Sequence, residues 1–150
     1  MSARPFRFEP LLNLAEQREE QQTLALASVA AEERAASEAL AALEAERERA
    51  YARFASSAAP VDASEYLATI AYADRLSREI EAQREVLAAA AVRVAEARGA
   101  LMEVVRERRS FEHLRDQDEA AALQEEERRE ASTVDDLNMT RHARRLRGPA

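Results

Sequence analysis

Apolar residues recur in alternating steps of four and three along two separate stretches of this 150-residue chain, the spacing by which one helix face packs against another. The first stretch carries Phe8, Leu12, Ala15, Leu26, Val29, Ala36, Leu40, Leu43, Ala50 and Phe54, with Glu19, Gln22, Glu33 and Arg47 as its polar members. The second carries Ala73, Leu76, Ile80, Leu87, Ala90, Val94, Ala97, Leu101, Val104 and Phe111, with Gln83 and Arg108 as its polar members. Two such tracks predict two long helices that share a seam.

Pro60, in the segment Ala55-Ser56-Ser57-Ala58-Ala59-Pro60-Val61-Asp62, cannot continue an incoming helix, so the chain is expected to turn there. Asp62 followed by Glu65 has the form of a helix start in which the Asp carboxylate accepts an orphan backbone N–H. The predicted elements are helix one over about 9–56, a turn over 57–62, helix two over about 63–140 and a basic tail over 141–150, all in one α-helical domain. Folding about the turn sets residues whose numbers sum to 119 or 120 side by side. Phe8 then meets Phe111, Leu12 meets Arg108, Val29 meets Ala90, Leu40 meets Ile80 and Leu43 meets Leu76. No polar seam residue falls opposite another. Glu19 faces Leu101 and Arg47 faces Ala73, so each charge is expected to lean its stem on an apolar partner and send its head to water. The fold class is therefore all-α, an antiparallel coiled-coil hairpin whose second helix overhangs the first. At roughly 1.5 Å per residue, helix one would be on the order of 70 Å long, and a rod is the expected shape.

Composition narrows the function. Charged residues make up 34% of the chain and aromatics 5%, with long runs of Ala, Glu, Arg and Leu, which suits long helices rather than a wide core. Alanine at many seam positions lets the helices approach closely but buries little apolar area per turn. A formal net charge of −7 opposes nonspecific nucleic-acid binding by the whole molecule. All 22 basic residues are arginine, which excludes lysine-dependent phosphate loops and Schiff bases, and the absence of cysteine excludes disulfides and thiolate chemistry. Arg4, Arg7 and Glu9 break up the N-terminal stretch, so it reads neither as a signal peptide nor as a membrane span.

No catalytic constellation stands out. His113 and His142 are not at metal-ligand spacing, the carboxylates around Glu125, Glu126, Glu127 and Glu130 read as a solvated face, and Gly99 and Gly148 are isolated. A two-helix hairpin lacks the concave, water-excluding pocket that catalysis needs. The expectation is a protein that is not an enzyme and takes no cofactor or metal. Two departures from the plain pattern remain. Tyr72, at the seam edge beside Ala73, forms with Leu76, Tyr51 and Tyr66 a concentration of large side chains near the turn. Either they shield the tip or they dock a partner. Helix two also runs past Phe111, where helix one has ended, through Leu114 and Ala120 to about Glu130, with Ser132-Thr133 as a place that could break or recap it. An unpaired helix of this kind is marginal alone, and self-association or a receiving protein would explain it.

The start Phe6-Arg7-Phe8-Glu9-Pro10-Leu11-Leu12, the arginine-rich Arg106-Glu107-Arg108-Arg109-Ser110-Phe111 and the late Asp135-Asp136 resemble the FliJ family of flagellar type III export proteins and its injectisome relatives. The resemblance extends over nearly the whole chain. It implies a cytoplasmic component of the flagellar export apparatus, peripheral at the inner membrane. This would be a coiled-coil stalk between a hexameric FliI-like ATPase and an FlhA-like gate, with a FliH-like regulator and export chaperones as further partners. By that resemblance Tyr72, Leu76 and Gln83 contact the gate, with Glu79 where the family can have a small residue. Phe6 and Phe8, with Leu123, Asp135, Asp136 and Leu137, enter the ATPase ring. The alternatives are a generic scaffold whose overhang dimerises and a helical chaperone that holds unfolded chains on its seam.

Overall fold

The computed structural model describes residues 5–56 and 58–148. Among these, all regular structure is helical: α1 spans Glu9–Ala55 and α2 spans Ala63–Arg147, and the two pack against each other as an antiparallel pair. Each end has a local cause. The Phe8 carbonyl accepts the Leu12 N–H at 3.0 Å as the first α1 hydrogen bond. Pro10 sits in that first turn, where its missing N–H costs nothing. At the other end the Ser56 N–H and hydroxyl both donate to the Ala52 carbonyl, and Pro60 follows four residues on. Asp62 caps α2 as expected. Its carboxylate accepts the Ser64 backbone N–H at 3.4 Å and the Ser64 hydroxyl, and these bonds hold its pKa below the ordinary carboxylate value.

Every position of both apolar tracks, polar members included, is buried or half-buried. The chain divides into two compact units. In the unit of Gln17–Val104, the buried residues are Ala36, Ala50, Ala73, Leu76, Ile80, Ala90 and Val94. The core is narrow, and alanine supplies more than half of those seven positions. Two contacts in this unit report the register. The Gln83 side-chain amide donates to the Ala36 carbonyl at 3.1 Å, and the rings of Phe54 and Tyr66 meet edge-on at 5.7 Å. Those numbers sum to 119 and 120, the expected register. Arg47 differs from expectation. Its guanidinium does not simply go to water but donates to the Ser77 hydroxyl at 3.3 Å, because Ser77 spends its own proton on the Ala73 carbonyl and leaves a lone pair facing α1.

The other unit combines the chain up to Glu16 with the chain from Val105 onward. Leu12 and Ala15 are its buried residues, with Phe6, Phe8 and Phe111 half-buried. Arg108, expected opposite Leu12, is half-buried and pairs along its own helix with Glu112 at 2.6 Å. From Asp116 to Gly148 every described residue is exposed.

Helix α2 runs further than its residue types indicated. Ser132-Thr133 does not interrupt it, because the Thr133 hydroxyl donates to the Arg129 carbonyl at 2.8 Å and so satisfies itself inside the helix. Residues 141–147, expected as a basic tail, are helical to Arg147. Arg144, Arg145 and Arg147 lie in the last turn, where the helix dipole favours cations. Gly148, at φ 62°, takes the left-handed conformation that ends a helix.

Candidate interaction surfaces

The first surface lies near the turn, where α1 and α2 bring Glu46 and Tyr72 together. The Tyr72 phenol donates to Glu46 Oε1 at 2.9 Å. Arg49, one turn after Glu46, donates to its Oε2 at 2.7 Å. Hydrogen bonding from Arg49, then from Tyr72, holds the Glu46 carboxyl below its ordinary value, and the bond to that carboxylate pushes the Tyr72 phenol up. Arg75 covers the Tyr72 ring, its guanidinium carbon 5.3 Å from the centroid. Beside this cluster an open cleft of about 440 Å³ is lined by Glu46, Arg49, Ala50, Arg53, Thr69 and Tyr72 among others. Two arginines and one carboxylate make it a polar cleft with an alanine floor.

The residues assigned by resemblance to gate contact are distributed unequally over this surface. Tyr72 is half-buried and lines the cleft. Leu76 is 3% exposed and belongs to the core between the helices. Gln83 is half-buried, its amide already committed to Ala36. Glu79 is exposed and lies 3.5 Å from Arg75. Sequence reasoning missed Glu46, Arg49 and Arg53 as the setting of Tyr72. The signal was available, since 46 and 72 sum to one less than the seam register.

The second surface belongs to the unit that holds both chain ends. Phe6 and Phe8 are in edge-to-face contact at 5.8 Å, with the Arg7 guanidinium 5.5 Å from the Phe8 ring centre. The Phe6 carbonyl accepts the Glu9 N–H at 3.2 Å, so the aromatic pair is built into the start of α1. On α2, Leu123 and Leu137 are 59% and 54% exposed, and Asp135 and Asp136 are exposed beside Leu137. The structure thus joins Phe6 to Phe8. It sets Asp135, Asp136 and Leu137 in one turn, with Leu123 about 20 Å earlier along the same helix.

Among the described residues, no group of three or more His, Asp or Glu side chains is placed to hold a metal ion, and no helix is long and apolar enough to cross a membrane. His113 is exposed and bonds Gln117 at 3.0 Å, one turn away.

A family model described as Flagellar FliJ protein matches residues 4–147. Neither the curated proteins nor the solved structures contain a match. The family match covers both helices, the turn and the exposed end of α2. By that match over nearly its whole length, the chain belongs to the flagellar FliJ family and is a flagellar export component.

Proposed function

We propose that this chain is a non-enzymatic coiled-coil stalk of the flagellar type III export apparatus. One end engages a hexameric FliI-like ATPase, and the surface around Tyr72 engages an FlhA-like export gate. In this reading it resides in the cytoplasm, peripheral at the inner membrane through those partners. The observation that carries the proposal is the exposed final third of α2. A helix that continues from Asp116 to Arg147 with Leu123, Val134 and Leu137 open to solvent has more apolar surface than an isolated helix keeps without a partner. Phe6 and Phe8 belong to the same compact unit, which supports one receiving partner for Phe6, Phe8, Leu123, Asp135, Asp136 and Leu137. For the gate, Tyr72 with its cleft is the accessible element, and Leu76 and Gln83 support it from within the helix pair. Export chaperones and a FliH-like regulator are further partners of the same apparatus.

Purification of the tagged chain from lysate, in full length and truncated after Phe111, tests the ring assignment. The full chain is expected to recover a hexamer-forming ATPase and the truncated form to lose it. Recovery of the ATPase by both forms would remove the ring contact from the end of α2. For the gate, Tyr72→Ala is expected to weaken capture of the gate protein with helicity unchanged, and undiminished capture would remove the cleft from that role.

A further inference from the structure

The exposed end of α2 carries a charge pattern that the stalk reading does not use. Residues 116–136 hold nine carboxylates against two arginines, whereas residues 137–147 hold four arginines and no carboxylate. On one face of the helix the order is Asp116, Glu119, Leu123, Glu126, Glu130, Val134, Leu137, Arg141 and Arg144, all exposed. At 3.6 residues per turn these nine positions fall within an arc of about 80°. Their spacing reads the same in both directions about Glu130.

We propose that this face docks a second copy of the same chain, antiparallel, about a two-fold axis through Glu130. In that register Leu123 meets Leu137 of the other copy, Glu119 meets Arg141 and Asp116 meets Arg144, and each pairing occurs twice. Charges of opposite sign therefore bracket a leucine pair on both sides of the axis. A parallel pairing would set each carboxylate against itself and each arginine against itself, which the charge order opposes. The overlap from Asp116 to Arg144 is about four heptads, the length at which paired helices become stable together. Among the described residues, none of the four terminal charges makes an ion pair. Leu123, Val134 and Leu137, each more than half exposed, are the apolar surface the pairing would cover.

Two features keep the pairing weak and reversible. Glu130 meets its own copy at the axis, a like-charge contact, and Glu126 faces Val134. The pairing also covers Leu123 and Leu137, which the ring contact needs, so the paired form is a resting state that a ring partner would compete away. The pairing itself requires only this chain and stands or fails independently of the ring.

Sedimentation of the full chain over a range of micromolar concentrations tests the pairing. The unmodified chain is expected to show a concentration-dependent monomer–dimer equilibrium. Asp116→Arg with Glu119→Arg in one variant, and Arg141→Glu with Arg144→Glu in another, are each expected to weaken self-association on the order of tenfold or more. Mixed one to one, the two variants are expected to form a heterodimer, because opposite charges then face each other at every terminal position. Glu130→Leu is expected to tighten the homodimer by a similar factor. These substitutions lie on an exposed helix face, and circular dichroism checks that the hairpin is intact. A wild-type chain that stays monomeric throughout, variants that dimerise as well as the parent, or a mixture that does not pair would each overturn the proposal.

Discussion

Tyr72 and Glu46 tie the helices together near the turn through one phenol–carboxylate hydrogen bond, and the consequence is a pH-dependent contact. Because the folded-state pKa of Glu46 is depressed below its ordinary 4.5, the stabilisation it provides is present above that value and is lost as pH falls through the lowered folded pKa. Asp62, depressed below its ordinary 3.8 by its Ser64 bonds, behaves the same way. Thermal unfolding followed from neutral to acid pH is expected to show a falling Tm below the ordinary carboxylate range. In the Glu46→Gln, Asp62→Asn double variant part of that fall is expected to disappear; a parent and a variant with identical acid profiles would show that neither carboxylate contributes. Gly99 lies inside α2 with nothing within 4 Å of where a Cβ would sit. Gly99→Ala is therefore expected to stabilise the fold by about 0.5–1 kcal/mol through reduced unfolded-state entropy, readable as a rise in denaturation midpoint.

At the scale of the elements, the seam was legible because heptad spacing depends only on which residue types recur and how far apart. The turn was legible because proline and a capping Asp act locally. Other features depended on contacts between residues distant in sequence or on helix context. Arg47 reaches Ser77 because Ser77 bonds the Ala73 carbonyl, a relation no single-helix pattern contains. Ser132-Thr133 left a break or a recap open, and the structure has Thr133 back-bonding within a continuous helix. The tail is helical to Arg147, with three arginines in the last turn, where the helix dipole favours cations. The surfaces were less legible than the fold. Resemblance grouped Tyr72, Leu76 and Gln83, whereas packing places Leu76 in the core and leaves only part of Tyr72 outside. Ile80, with no exposed surface, is the largest fully buried side chain of its unit. Ile80→Ala is expected to cost about 2–5 kcal/mol, whereas Leu123→Ala, on a face exposed in the single chain, is expected to stay within about 0.5 kcal/mol of the parent when both are monomeric. Equal effects in chemical denaturation would mean that the exposed end of α2 is packed in the free chain.

For the molecule as a whole, the asymmetry between a paired region and a bare one is what connects fold to function. Seam residues gain stability within the chain, while those from Asp116 onward gain it only from each other along one helix. Such a segment is expected to open locally at low free energy. In the proposed stalk that property suits a segment received by another protein. Amide hydrogen exchange over 116–147, recorded for the isolated chain and again with the export ATPase present, bears on this most directly. Fast exchange is expected in the isolated chain at concentrations low enough to keep it monomeric, with strong protection once the ATPase is added and unchanged protection across the paired seam around Ile80 and Ala90. Equal exchange over 116–147 with and without the ATPase would contradict it.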